Sequence, residues 1–315
     1  MIPPIHHPHG IVTLDADYLR PGLAAIHLII ERGRVAIVDT GTNYSVPTIL
    51  AELKHLGLGT EAVDYVIVTH VHLDHAGGAG ALLRDCPNAK LVAHPRGARH
   101  LIDPARLVAG SIEVYGHENF YALYGDIVPV PAERVIEAGE GFKLDFNGRE
   151  LIFIDTPGHA RHHFCIHDPR SDSVFTGDTF GLSYREFDVD GRPFIFPTTT
   201  PVQFEPEALH ASIERLLALK PQAAFLTHYG RITGLERLAP QLHELIDVFV
   251  KQTLNAPGEG AMRQEALKRE VEALLLQRLR AHGCTLDDAT CRVLLANDVE
   301  LNTQGLLVWR DRLPA

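Results

Sequence analysis

The stretch Thr69-His70-Val71-His72-Leu73-Asp74-His75 decides how this chain is to be read. It sets three imidazoles and one carboxylate side by side, directly behind the apolar run Val63 to Val68. Imidazole and carboxylate are ligands for zinc and similar dications. A packed core cannot satisfy so many polar groups cheaply, and a solvated surface rarely needs them at that density. In extended chain His70 and His72 point the same way, so both rings can grip one cation. Asp74 and His75 follow at once, where a turn would aim them at a second point close by.

Three later segments present the same chemistry: Asp155-Thr156-Pro157-Gly158-His159, Phe175-Thr176-Gly177-Asp178 and Phe225-Leu226-Thr227-His228. In each, a short apolar run ends on a His or Asp beside glycine or a turn. Loops of this kind can converge when they leave several strands at one rim of a rigid scaffold.

The ordered set HxHxDH (His70, His72, Asp74, His75), TPGH (His159), TGD (Asp178) and a late His228 resembles the metallo-β-lactamase-fold hydrolases, in particular their glyoxalase-II-like branch. Asp39, in Asp39-Thr40-Gly41, matches the aspartate such proteins place beneath the site. The match runs over roughly residues 25 to 235. The resemblance implies an α/β fold, a four-layer αββα sandwich with metals at one edge, here with a C-terminal helical extension. It further implies that His70, His72 and His159 hold a first metal, that Asp74, His75 and His228 hold a second, and that Asp178 bridges them. Asp74 and Asp178 are then the carboxylates at the reacting centre, and Asp39 orients ligands from behind, because metal-bound imidazoles donate their other N–H to an acceptor. The implied cofactors are two divalent ions, zinc first, with iron or manganese also suited to imidazole and carboxylate. A hydroxide between two such ions is the implied nucleophile, since metal binding pulls the pKa of water from about 15.7 to near 7.

The chain has 315 residues, 45% of them hydrophobic, enough for one large domain with a sizeable core. Division into a catalytic domain over 1–240 and a helical extension over 241–315 is expected. Twenty-nine basic against 40 acidic side chains leave a net charge of −11, which makes nucleic acid a poor partner. The start of the chain lacks a basic region followed by an apolar core, and no apolar stretch suits a bilayer, so neither secretion nor a membrane is expected. The scattered cysteines Cys86, Cys165, Cys284 and Cys291 read as reduced thiols of a cytoplasmic protein.

Elements follow from periodicity. Ala25 to Glu31 and Arg34 to Asp39 read as a hairpin about Arg32-Gly33. Val46 to Leu56 has helical spacing. Residues 103–126 carry Tyr115, Phe120, Tyr121 and Tyr124 without strand alternation; they suit equally a cover over the site and a helical loop packed on the core. From Leu238 the pattern is helical, broken at Asn255-Ala256-Pro257-Gly258 and resumed from Met262 to His282. Those helices could wall the pocket or offer a homodimer surface, and their apolar faces could equally be satisfied within the chain. His6, His7 and His9 fall in what reads as a flexible start, and His94 and His163 as structural.

The function expected is hydrolysis of a small acyl substrate, a thioester, ester or lactone. The alternative on the same scaffold is a mononuclear-iron oxidoreductase of the persulfide dioxygenase type; a non-catalytic binding module fits less well with an intact ligand set. Phe180, Tyr184, Arg185, Tyr229 and Arg231 are the candidate substrate contacts, because they follow the ligands within a few residues. An arginine there could take a carboxylate in a bidentate fork.

Overall fold

A computed structural model describes residues 2–314. The chain divides into two compact units that interleave along the sequence. One comprises Met1–Asp155, His162–Gly177 and Pro221–Thr233; the other comprises Thr156–Arg161, Asp178–Lys220 and Gly234–Ala315.

The first unit holds two sheets. One has seven strands in sequential order: β1 (Ile5–His7), β2 (Ile11–Asp15), β3 (Ala25–Glu31), β4 (Arg34–Val38), β5 (Val63–Ile67), β6 (Lys90–Ala93) and β7 (Val135–Glu137). Strands β1 to β4 run antiparallel, and β4 to β7 run parallel. The β3–β4 hairpin closes through Arg32 and Gly33, both at positive φ, the backbone of a two-residue turn whose twist matches that of the strands. Between the parallel strands lie α1 (Val46–His55), α2 (Leu73–Ala76), α3 (Ala79–Asp85), α4 (Pro95–Ile102), α5 (Ala105–Tyr115) and α6 (His117–Tyr124). Val35 to Val38 on β4 are buried without alternation, as a central strand covered on both faces requires.

The second sheet runs in the order β13-β12-β11-β10-β9-β8, built from β8 (Lys143–Phe146), β9 (Arg149–Asp155), β10 (Phe164–Asp168), β11 (Ser173–Gly177), β12 (Ala223–Leu226) and β13 (Gly230–Ile232). Alternate residues of the two sheets form one core: Ile29, Ala36, Val38, Ile67 and Val92 from the first, Leu151, Phe153, Phe164, Ile166, Phe175 and Phe225 from the second. Losing an aromatic ring from such a core costs about 3–5 kcal/mol. A buried ion pair adds a polar tie: the Arg149 guanidinium grips the Asp168 carboxylate through two nitrogens and donates to the His9 carbonyl at 2.6 Å.

Strand directions place the chemistry. Because β4, β5 and β6 are parallel, Asp39, the Thr69–His75 loop and His94 leave the first sheet at one edge. Strands β9, β11 and β12 share a direction in the second sheet, so Asp155, Gly177 and Leu226 also end at a common edge.

The start of the chain corrects the expectation of a flexible segment. Strand β1 pairs with β2, His7 Nε2 lies 3.0 Å from Thr13 Oγ1, and the His7 ring meets Phe225 edge-on. Three residues are too short for any periodicity, so only pairing reveals the strand.

The second unit carries α7 (Pro206–Ala218), α8 (Leu235–Asn255), α9 (Gly260–His282) and α10 (Asp288–Asp311). The Asp287 carboxylate caps α10 by accepting from Thr290 N–H at 2.7 Å. Helix α10 buries Cys291, Leu295, Val299 and Leu306 and holds the segment before α7 through Asn302, whose Oδ1 accepts from Thr199 N–H at 2.6 Å. Among the described residues no helix is long and apolar enough to cross a membrane.

Candidate metal centre

In the first unit, His70 lies in a bend behind β5, and His72 is the extended residue before the single turn α2, which carries Asp74 and His75. The His70 ring centroid is 4.4 Å from that of His72 and 4.0 Å from that of His75. Strand β12 delivers His228 against the same loop: its Nε2 lies 3.3 Å from Asp74 Oδ2, while His75 Nε2 lies 3.7 Å from that oxygen. Asp74, His75 and His228 form a group able to hold a metal ion.

Tautomers follow from the partners. A carbonyl or carboxylate only accepts, so His228 donates Nδ1–H to the Leu23 carbonyl at 2.7 Å and His75 donates Nδ1–H to Asp39 Oδ2 at 2.8 Å. Both Nε2 atoms face the Asp74 carboxylate, where a neutral ring offers a cation its lone pair. A tetrahedral ion with bonds near 2.0–2.1 Å keeps its ligand atoms about 3.3 Å apart, close to the spacings seen. The donor set therefore fits zinc or a similar dication.

Asp39 organises this cluster from a fully buried position. Its carboxylate accepts from Thr69 N–H at 2.8 Å, Thr69 Oγ1–H at 3.0 Å, Thr227 Oγ1–H at 2.7 Å and His75. Thr69 Oγ1 lies 3.2 Å from His70 Nδ1, so one carboxylate steers His75 directly and His70 through a hydroxyl. His163 is buried and stacked 4.9 Å from His70, and His94 is buried, caps α4 and meets Asp155 at 3.1 Å.

In the second unit, His159 Nε2 lies 3.3 Å from Asp178 Oδ2, with His159 Nδ1–H directed at the Thr198 carbonyl at 3.3 Å. This repeats the pattern of a ring oriented by a backbone acceptor and facing a carboxylate. Gly158 explains the TPGH motif: its φ is +131°, and a Cβ there would sit 2.3 Å from the Leu209 backbone on α7.

Of the candidate substrate contacts, Phe180, Tyr184 and Arg185 belong to the second unit. Phe180 and Tyr184 are buried, and Tyr184 donates its hydroxyl to Asp298 on α10 at 2.9 Å. Arg185 donates to the Ser183 carbonyl and pairs with Asp188 at 3.1 Å. In the first unit Tyr229 is buried beside His228, and Arg231 is exposed on β13. The aromatic segment 103–126 folds as α5 and α6 with Phe120 and Tyr124 buried. Burial holds the Tyr115 and Tyr124 phenols above their ordinary range and the Asp74 charge pushes the same way, while at Tyr115 the hydrogen bond with Tyr124 acts against it. Tyr124 also shares a 3.0 Å hydrogen bond with Tyr18. Sequence spacing alone did not connect these tyrosines to Asp74, because they lie some 40 and 50 positions further on; only a run of aromatics without strand alternation hinted at them.

The model of the metallo-beta-lactamase superfamily matches residues 19–228, more than half of the sequence. The chain belongs to the metallo-β-lactamase superfamily. It has that superfamily's α/β fold, with two sheets, flanking helices and a C-terminal helical region, as the sequence implied. It is 26% identical over 279 residues to a metallo-beta-lactamase fold-containing protein, ST1585, of Sulfurisphaera tokodaii, covering 85% of this chain and 94% of that one. A hydroxyacylglutathione hydrolase of Stenotrophomonas maltophilia is 29% identical over 277 residues, covering 87% of this chain and 78% of the relative. The crystal structure of a metallo-beta-lactamase family protein, TTHA1429, of Thermus thermophilus superposes with a TM-score of 0.67 at 19% identity, covering 96% of this chain and 93% of that one. The superfamily includes metal-dependent hydrolases.

Proposed function

We propose that this protein is a dinuclear metal-dependent hydrolase acting on a small acyl substrate, a thioester, ester or lactone. The observation that carries the reading is the Asp74, His75 and His228 cluster, with both rings fixed by their Nδ1–H donors and both Nε2 atoms facing one carboxylate. In this reading those three hold one ion, His70, His72 and His159 hold the other, and Asp178 bridges. Zinc is the proposed metal, on the nitrogen-rich donor set. Bound dications of this kind supply a water of lowered pKa and polarise an acyl oxygen.

The chain's own residues do the rest. Asp39 and Thr69 keep the imidazoles in the tautomer and orientation that ligation needs, which limits reorganisation when the reaction occurs. Tyr115 and Tyr124, kept protonated by burial, are proposed as hydroxyl donors to substrate. Phe180, Tyr184, Arg185, Tyr229 and Arg231 complete the proposed list of substrate contacts. The hydroxyacylglutathione hydrolase relatives support acyl transfer to water as the reaction class. A small-molecule substrate and a cytoplasmic setting accord with the net charge of −11 and four free thiols.

Elemental analysis of protein purified without added metal, followed by a panel of thioesters, esters and lactones, tests this reading. Two metals per chain and hydrolysis of at least one class are expected. A single iron with no hydrolysis would replace it by the mononuclear oxidoreductase.

A further inference from the structure

Helices α7 and α8 of the second unit carry a second, separate cluster. His210 and Glu214 lie four positions apart on α7, and His243 and Asp247 lie four apart on α8, so each pair shares one helix face. The pairs cross between antiparallel helices: His210 Nε2 meets Asp247 Oδ1 at 3.1 Å, and His243 Nε2 meets Glu214 Oε1 at 2.8 Å. The rings stack with centroids 4.8 Å apart, and the two Nδ1 atoms face each other at 2.6 Å.

The proton inventory of this arrangement is decisive. Each carboxylate only accepts, so each Nε2 carries its hydrogen. A neutral imidazole has one N–H, which leaves two Nδ1 lone pairs aimed at one point. Bare lone pairs at 2.6 Å repel, and a positive charge between them removes the repulsion. A proton can occupy that position, and so can a metal. Imidazole oriented from behind by a carboxylate is the recurrent form of a histidine ligand.

We propose that His210 and His243 form a second metal site, a two-histidine clamp between α7 and α8 for a zinc-like transition-metal dication, with Glu214 and Asp247 as orienting carboxylates and water completing the coordination. Ligand atoms on a tetrahedral ion stand about 3.3 Å apart, so binding requires the two nitrogens to separate by roughly 0.7 Å. The carboxylates, reaching their partners from the solvent side, can follow that movement: Glu214 is 65% and Asp247 74% exposed. The site lies on residues that have no place in the proposed catalytic machinery, and it stands whether or not that machinery is assigned correctly.

The test compares zinc-loaded full-length protein with its His210→Ala and His243→Ala variants by zinc titration and elemental analysis, with acyl hydrolysis measured in parallel. Wild type is expected to take up one equivalent more than either variant, at unchanged hydrolysis, and Glu214→Gln with Asp247→Asn to weaken that equivalent by about tenfold or more. Added zinc should raise the melting temperature of wild type above any rise seen in the variants. Equal zinc uptake by wild type and both histidine variants, the result if the pair holds only a proton, overturns the proposal. Because both sides of the comparison keep the Asp74 cluster, failure there lowers all three proteins alike and leaves the difference readable.

Discussion

Asp39→Asn is nearly isosteric, yet it should weaken metal binding at the proposed centre. The carboxylate accepts four hydrogens, two on N–H groups that cannot turn away (Thr69 N–H and His75 Nδ1–H) and two on hydroxyls that can (Thr69 and Thr227). Asparagine keeps one acceptor oxygen and puts an NH2 at the other position. If the NH2 faces Thr69, a buried backbone N–H loses its acceptor, at a cost of about 1–3 kcal/mol. If it faces His75, the ring must take the other tautomer, and Nε2 then carries a hydrogen instead of the lone pair directed at Asp74. Either orientation damages the site, so zinc affinity should fall by about 10–100-fold, with a stability loss of about 1–3 kcal/mol. Competition against a chromophoric chelator measures the first and urea denaturation the second. Thr227→Val, which removes one rotatable donor, should lose far less of either. An Asn variant with wild-type zinc affinity and an unchanged urea midpoint would refute the role given to Asp39.

Arg149→Met strands the buried Asp168 carboxylate and should cost about 3–5 kcal/mol in urea, with Arg149→Met/Asp168→Leu recovering most of it; a loss below 1 kcal/mol for the single variant would count against the ion pair as a tie within the first unit. His27 is fully buried, and burial holds its pKa down to about 4 from 6.5. Its contribution to stability is therefore complete above pH 6.5 and is lost as pH falls toward 4, at most about 3 kcal/mol in all, because the unfolded chain binds the proton first. Urea midpoints across that window should slope less in His27→Asn than in wild type, and identical slopes would contradict the assignment. Gly158→Ala pushes a Cβ into the Leu209 backbone, so about 1–3 kcal/mol of stability and part of the bound metal should be lost together. Unchanged melting and metal content in that variant would show that the close approach is not needed.

The His-rich loop was legible in the sequence because its signal is local and chemical. The Asp-His turn after an extended His72 is the conformation found at α2, whereas the chain bends at His70. The β3–β4 hairpin and α1 were likewise written in short-range periodicity and a turn dipeptide. Strand β1 was not, since it exists only by pairing with β2. Helix α10 follows α9 across a short break at Gly283, and its separate existence rests on the Asp287 cap and on what it buries.

By itself the sequence named the side chains proposed to carry chemistry, their order, and the turn that presents Asp74 and His75. Tertiary structure decided their partners: Thr227 reaches Asp39 across 188 positions, Tyr115 and Tyr124 come to feel the Asp74 charge, and two i,i+4 pairs on separate helices cross to bring His210 against His243. Local patterns record only which face of an element is apolar or polar. Strand direction and helix packing fix what that face meets, and those depend on contacts far apart along the chain.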